Sequence, residues 1–120
     1  MRIDLTDAEE KLAALIWREA PVQSPVLVAF ANDELGWKKS TTYTVLKKLC
    51  QKGVFQNSDA TVTPMTTRDE LISKRSRRFV EDAFGGSLPG FITSFYGGGK
   101  LSADQVAELM TLIEESGEDE

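Results

Sequence analysis

The sequence predicts a mainly helical protein, in which an N-terminal winged helix-turn-helix of three helices and a short β-hairpin precedes C-terminal dimerisation helices. Apolar residues recur at helical spacing in three segments before Gly53, and two short β-prone runs follow that glycine. From residue 67 onward, amphipathic segments continue without a strand among them. We therefore expect a winged-helix domain at residues 1–66 and a helical dimerisation domain with an acidic tail at residues 67–120.

The first two helices are predicted from their N-terminal caps. Thr6 and Glu9 have the spacing of a capping box, in which each side chain satisfies the other residue's amide, and an apolar stripe then runs to about Arg18. A second helix is expected to begin at Ser24, because a serine before a proline is typical of an N-cap. This helix should stop near Asn32–Asp33, with a glycine beyond.

The third helix carries the candidate interface. It is predicted from Ser40 to Lys52, with Gly53 as its C-terminal cap and its apolar residues on one side. The segment from Lys38 to Lys52 holds five lysines and no acid. A major groove admits one α-helix, and lysines and hydroxyls on its outer side can reach phosphates and base edges. The candidate DNA-binding residues are Lys38, Lys39, Ser40, Thr41, Tyr43, Thr44, Lys47 and Lys48.

We expect two roles within this set of residues. The residues expected to read bases are Thr41, Tyr43, Thr44 and Lys47, and those expected to contact phosphates are Lys38, Lys39 and Lys48. The alternative is an ordinary solvated face, because lysine, threonine and glutamine are common on exposed helices. The place of this helix, third of three and before a hairpin, favours a recognition helix.

The predicted wing is short and carries no positive charge. Val54–Gln56 and Thr61–Thr63 have the composition of strands, and Asn57–Asp59 separates them as a turn. No lysine or arginine lies between Val54 and Thr67. The wing therefore lacks the cations that would anchor it to phosphates.

The C-terminal helices are predicted from two further capping boxes, Thr67–Glu70 and Ser102–Gln105, which flank an apolar stretch from Leu88 to Tyr96. Their apolar faces have no obvious partner within one chain, so we expect a homodimer. The residues expected at its interface are Ile72, Phe79, Val80, Ala83, Val106, Leu109, Met110 and Ile113. The acidic tail, Glu114–Glu120, is expected to be a solubilising end.

Composition excludes several classes of site. The 120 residues include one cysteine and no histidine, so an internal disulfide, a Ser-His-Asp triad and a zinc site with histidine ligands are impossible within one chain. No phosphate-binding glycine motif is present. We expect no enzymatic activity, no metal and no cofactor. The longest apolar run, Val26–Ala31, is too short to span a membrane, so we expect a cytoplasmic protein without direct membrane insertion.

Four motifs at matching spacing resemble the penicillinase repressor family. They are LTxAE…IW at residues 5–17, STTYTVLKKLxxKGV at 40–54, FV…FGGSL…FIxxF at 79–95 and LS…VxELxxLI at 101–113. The resemblance implies a dimeric winged-helix repressor that binds a palindromic operator on double-stranded DNA. For members that answer β-lactams it also implies a membrane sensor-protease system, which leads to cleavage in the dimerisation region and to release of DNA.

The chain departs from the family pattern at the cleavage position and in its cysteines, among other places. The family's cleavage position, an Asn-Phe bond, falls here on Ser94 and Phe95, so the phenylalanine is retained and the asparagine is not. The C-terminal cysteine cluster of the copper-responsive relatives is absent, and Cys50 falls on the apolar side of the third helix. The missing asparagine leaves open a ligand-responsive repressor without proteolytic release. The net charge of −5 and the uncharged wing leave open a winged-helix protein–protein adaptor.

Overall fold

A computed structural model describes residues 4–117; residues 1–3, and residues 118–120 of the acidic tail, lie outside the described part of the chain. The chain divides into two units, of which the first ends at Arg78 and the second begins at Phe79. The elements, in order, are α1 (Asp7–Glu19), β1 (Val22–Gln23), α2 (Ser24–Leu35), α3 (Lys39–Gln51), β2 (Phe55–Ser58), β3 (Thr61–Pro64), α4 (Arg68–Phe84), α5 (Leu88–Tyr96) and α6 (Ala103–Ser116). This order confirms the predicted mainly helical class with an N-terminal winged helix.

Helices α1, α2 and α3 enclose the core of the first unit. The capping box at the start of α1 is present, with the Thr6 hydroxyl accepting from the Glu9 amide and the Glu9 carboxylate accepting from the Thr6 amide. The apolar sides of the three helices are buried, and their large, fully enclosed side chains include Leu12, Ile16, Leu27 and Leu49. On the surface, the Arg18 guanidinium pairs with the Glu34 carboxylate and joins α1 to α2.

The ends of α2 and α3 differ from the prediction by one to three residues. Helix α2 is capped by Gln23, not Ser24, and it continues to Leu35, where Gly36 adopts the left-handed conformation that ends it. The expected stop at Asn32–Asp33 was wrong, because the α2 core face continues past Ala31 as far as that glycine. Helix α3 begins at Lys39, with Lys38 as an N-cap that makes no side-chain bond.

The wing is part of a three-stranded antiparallel sheet with strand order β1-β3-β2. Ser58 pairs with Thr61, so the turn consists of Asp59 and Ala60, whereas the prediction was Asn57–Asp59. Both turn residues have positive φ, 51° and 63°, as a type I′ hairpin requires. Val54, predicted to begin the strand, precedes it as a buried residue.

The second unit contains the end of α4, then α5 and α6. None of its described residues is fully buried. Four phenylalanine rings, Phe79, Phe84, Phe91 and Phe95, lie in tilted or edge-on contact with centroids about 6 Å apart. The capping box at Ser102 and Gln105 is present at the start of α6. Across residues 4–117, no helix combines the length and apolar character needed to cross a membrane.

Candidate nucleic-acid interface

Helix α3 has one buried side and one exposed side. The buried side consists of Thr42, Val45, Leu46 and Leu49. At about 100° per residue, the opposite arc is continuous, and all of its side chains are exposed. These side chains are Ser40, Thr41, Thr44, Lys47, Lys48 and Gln51. Gln51 was not among the candidate DNA-binding residues, although helical spacing alone places it on the same side of α3 as Thr44, two turns further along.

Two threonine hydroxyls of α3 are already used within the helix. Thr42 donates to the Lys38 carbonyl at 3.1 Å, and Thr44 donates to the Ser40 carbonyl at 2.9 Å. Because the exposed Thr44 gives its proton to its own helix, it offers a partner only an acceptor oxygen and a methyl group. That combination suits an apolar contact with the methyl group of thymine.

Tyr43 lies at the border of the exposed arc. Its side chain is half-buried and packs against the core, and its hydroxyl lies 3.4 Å from Oγ of the buried Ser24. The sequence pattern grouped Tyr43 with the base-reading residues, whereas the structure places it between α3 and the first turn of α2. The Tyr43 side chain therefore helps to fix the position of α3 relative to α2.

The exposed arc is flanked by positive charge without any acid. No aspartate or glutamate occurs between Gly36 and Ser58, and Lys38, Lys39, Lys47 and Lys48 are exposed. None of these four lysines forms an ion pair with a residue in the described part of the chain. The arrangement can receive an anion along one side of the helix.

The fifth lysine of this segment, Lys52, is half-buried and forms an ion pair instead. Its ammonium lies 2.8 Å from both carboxylate oxygens of Glu9, a residue only 2% exposed. Burial alone would raise the pKa of Glu9, but hydrogen bonds from Lys52 and Thr6 outweigh it and hold that pKa below its usual value. The charge of Lys52 is therefore compensated inside the first unit.

The tip of the wing carries a negative charge. Asp59 is exposed there, and the Ala60 carbonyl accepts a hydrogen bond from the Ser24 amide at 2.7 Å. This bond places the tip beside the start of α2, the helix that also contacts Tyr43. The wing thus presents a carboxylate where a phosphate-binding wing would present a cation.

The residues predicted for dimerisation form exposed apolar surface on α4 and α6. Exposed fractions lie between 40% and 63% for Ile72, Phe79, Val106, Met110 and Ile113. Ala83 is exposed as well, and Val80 and Leu109 are half-buried. Within the second unit, α5 and α6 also border a groove of about 330 Å³ lined by Phe91, Phe95, Leu101, Leu109 and Leu112.

The candidate cleavage residues lie in the last turn of α5. Phe95 is 68% exposed, and Ser94 is exposed beside it. The helix ends at Tyr96, and Gly97 follows in the left-handed conformation as its cap. The Ser94–Phe95 bond is therefore helical but accessible, one residue from a helix end.

Comparison with known proteins matches almost the whole chain to one family. The profile of the penicillinase repressor family matches residues 5–115. A penicillinase repressor of Bacillus licheniformis is 23% identical over 115 residues, which cover 92% of this chain and 90% of that protein. The chain therefore belongs to the penicillinase repressor family, a family of transcriptional repressors.

Proposed function

We propose that this protein is a dimeric repressor that binds a palindromic operator by placing α3 in the major groove. The observation that carries the proposal is the exposed arc of α3, which holds lysines and short polar side chains and no acid. Its opposite side is buried in the core, so the arc is presented on a rigid support. Membership in a family of transcriptional repressors supports the same role.

Two kinds of contact are expected from this arc. Thr41, Thr44 and Lys47 are proposed to meet base edges, and Lys38, Lys39 and Lys48 to meet phosphates. Tyr43 is proposed to act through the position of α3, because its hydroxyl faces Ser24. The wing contributes no cation, so α3 and its preceding loop supply the electrostatic part of the affinity.

The test is titration of the full chain with a duplex from its own promoter. Saturable binding that exceeds binding to a scrambled duplex is expected. Lys48→Gln should weaken binding to both duplexes and lower the slope of log affinity against log salt by about one. Lys11→Gln removes the same charge from an exposed position of α1 and should change neither. Equal effects of the two substitutions would contradict a phosphate contact from α3, and no binding at all would instead support a protein–protein adaptor.

Dimerisation is proposed to cover the exposed apolar residues of α4 and α6. Large side chains such as Met110 and Ile113 are more than half exposed, and so many exposed large apolar side chains are typical of an interaction surface. A C2 dimer would bury the same patch on both copies and would match two half-sites of a palindrome.

We also propose that a membrane sensor-protease system leads to cleavage of the Ser94–Phe95 bond and so releases the repressor from DNA. The bond lies in the last turn of α5, where helix ends open most easily, and Gly97–Gly99 follow directly. Separating residues 95–120 would remove α6 and with it the link between the two DNA-binding heads, which are the first units of the two copies. That link raises the affinity for two half-sites by about 10² to 10⁴.

Cleavage is tested by comparing the fragment 1–94 with the full chain on the same promoter duplex. The fragment should bind a single half-site normally and lose affinity for the paired site. A control chain that ends at Glu115 retains the whole family match and should bind like the full protein. Full affinity of the fragment 1–94 would exclude cleavage here and would favour release by a ligand.

A further inference from the structure

A single side chain of α1 holds the junction between the wing and α4. The indole N–H of Trp17 donates to the backbone carbonyl of Thr66 at 3.0 Å, across 49 positions of the sequence. Thr66 itself is only 4% exposed. The Trp17 ring also contacts the buried Phe55 ring of β2, with centroids 5.1 Å apart. The point at which the chain leaves the wing is thus fixed to the core.

The first turns of α4 are attached to the same unit by further contacts. Leu71 is 1% exposed, and Arg75 forms an ion pair with Glu10 of α1. Arg78 lies 3.7 Å from the Asp4 carboxylate. These contacts recur at three- or four-residue intervals along one side of α4, so they fix the direction of its axis relative to α1.

The direction of α4 has a consequence for DNA. If residues beyond Arg78 join two copies, the angle at which α4 leaves each head sets the distance and the rotation between the two α3 helices. Each added base pair turns the second half-site by about 35° around the duplex axis. A head whose α4 is held in one direction can therefore engage only half-sites of one spacing.

We infer that Trp17 is a positioning residue that sets the half-site spacing this protein accepts. The inference rests on the proposed function, since it requires a dimer bound to two half-sites. Trp17 lies on α1, outside the exposed arc of α3, and acts through the carbonyl of Thr66. The ion pair between Glu10 of α1 and Arg75 of α4 supports it one turn beyond Leu71.

The test begins with duplexes that the full-length protein selects from randomised DNA. The spacer between the two half-sites of each selected duplex is then lengthened or shortened by one and two base pairs. Wild-type affinity should fall by about tenfold or more for each wrong spacer. Trp17→Phe keeps an aromatic ring against Phe55 but loses the N–H donor. Its affinities across spacers should differ by no more than about threefold, while its affinity for a single half-site stays at the wild-type value.

Two further variants complete the experiment. Trp37→Phe removes an indole from the loop between α2 and α3 and should keep the wild-type dependence on spacing. Glu10→Gln removes only the ion pair with Arg75 and should broaden the dependence partially. If Trp17→Phe does not fold, Glu10→Gln decides the question, and an unchanged profile then overturns the inference.

The outcomes separate this inference from the proposed function. A Trp17→Phe profile like that of the wild type, or an equal loss on single and paired half-sites, overturns the positioning role alone. Wild-type binding without any preference for spacing also overturns it and leaves DNA binding intact. Failure of the wild-type protein to select any duplex overturns the proposed function, and the inference with it.

Discussion

The two units of this chain differ in what they bury. Among its described residues, 4–78, the first unit encloses fourteen apolar side chains, from Leu12 in α1 to Leu71 in α4. The second unit, as described to residue 117, encloses none, and it leaves Phe95, Met110, Leu112 and Ile113 more than half exposed. The first unit thus has a core of its own, whereas the apolar faces of the second remain to be covered. The stability of the two units should therefore depend differently on protein concentration.

The largest expected effect is on the core of the first unit. Lys52→Met would leave the buried Glu9 carboxylate without its ion-pair partner and should lower the free energy of unfolding by about 3–5 kcal/mol. Urea denaturation followed by circular dichroism measures it. The loss should be the same at all protein concentrations. Lys11→Met, at an exposed position of the same helix, should change stability by less than about 0.5 kcal/mol.

The same ion pair predicts a dependence on pH. The pKa of Glu9 in the folded protein lies below the usual value of 4.5, so its ionised form stabilises the fold above that pH. This contribution should be lost as the pH falls through the lowered pKa. In Lys52→Met, burial raises the pKa of Glu9 and no lysine lowers it, so the variant's Glu9 becomes neutral at a higher pH. The difference in unfolding free energy between wild type and variant should therefore shrink on acidification. A difference that stays constant from pH 7 to about pH 3 would contradict this role of Glu9.

A charge in the second unit should act on assembly rather than on the first core. Leu109→Asp would place a carboxylate in the proposed dimer interface, at a desolvation cost of several kcal/mol. Sedimentation should show a monomer, while urea unfolding of the first unit stays near the wild-type midpoint. Thr111→Asp, about 200° away around α6, adds the same charge and should preserve the dimer. A wild-type monomer at tens of micromolar would contradict dimerisation.

Two matched substitutions at Thr44 test the proposed contact with thymine. Thr44→Val keeps the methyl group and loses the hydroxyl, whereas Thr44→Ser does the reverse. One buried methyl group is worth about 0.8 kcal/mol, so only Thr44→Ser should weaken operator binding, by roughly fourfold. Replacing thymine by uracil in the duplex should reproduce the loss in the wild type and add little in Thr44→Ser. Weaker binding by Thr44→Val alone would point to the hydroxyl.

The smallest expected effect concerns the wing turn. Ala60 has a φ of 63°, a conformation that costs an L-residue about 1 kcal/mol or more, so Ala60→Gly should stabilise the first unit slightly. The added chain entropy of glycine offsets part of the gain and leaves less than about 1 kcal/mol. Ala14→Gly, at an exposed position of α1, should instead destabilise by about 1 kcal/mol. Thermal unfolding compares the stabilities of the two variants. A lower stability of both Ala60→Gly and Ala14→Gly would show that the turn carries no strain.

Features that depend on neighbouring residues were predictable from the sequence. The capping boxes at Thr6 and Ser102 were located to the residue, because both partners lie within one turn of helix. The start of α3 was placed one residue late, since Lys38 caps it without a side-chain bond to signal it. The exposed arc of α3 followed from helical spacing, except at Tyr43, whose position on the border depends on a contact with Ser24, 19 residues away.

Features that depend on distant residues were not predictable. Glu9 gave a clear capping signal, but nothing near it indicated that Lys52 would pair with it across 43 positions. That pair removes one of five lysines from the positive segment. Nothing in the sequence indicated the hydrogen bond of Trp17, because the carbonyl that accepts it belongs to the backbone of Thr66, 49 positions away.

The exposed apolar surface of the second unit has a consequence for how repression would respond to the amount of protein. On the proposal that a second copy covers this surface, monomers and dimers exchange by mass action. At concentrations below the dimer dissociation constant, the number of dimers rises with the square of the total concentration. Halving the amount of intact chain would then remove about three quarters of the operator-competent species. A cell could therefore lift repression steeply by destroying only part of its repressor.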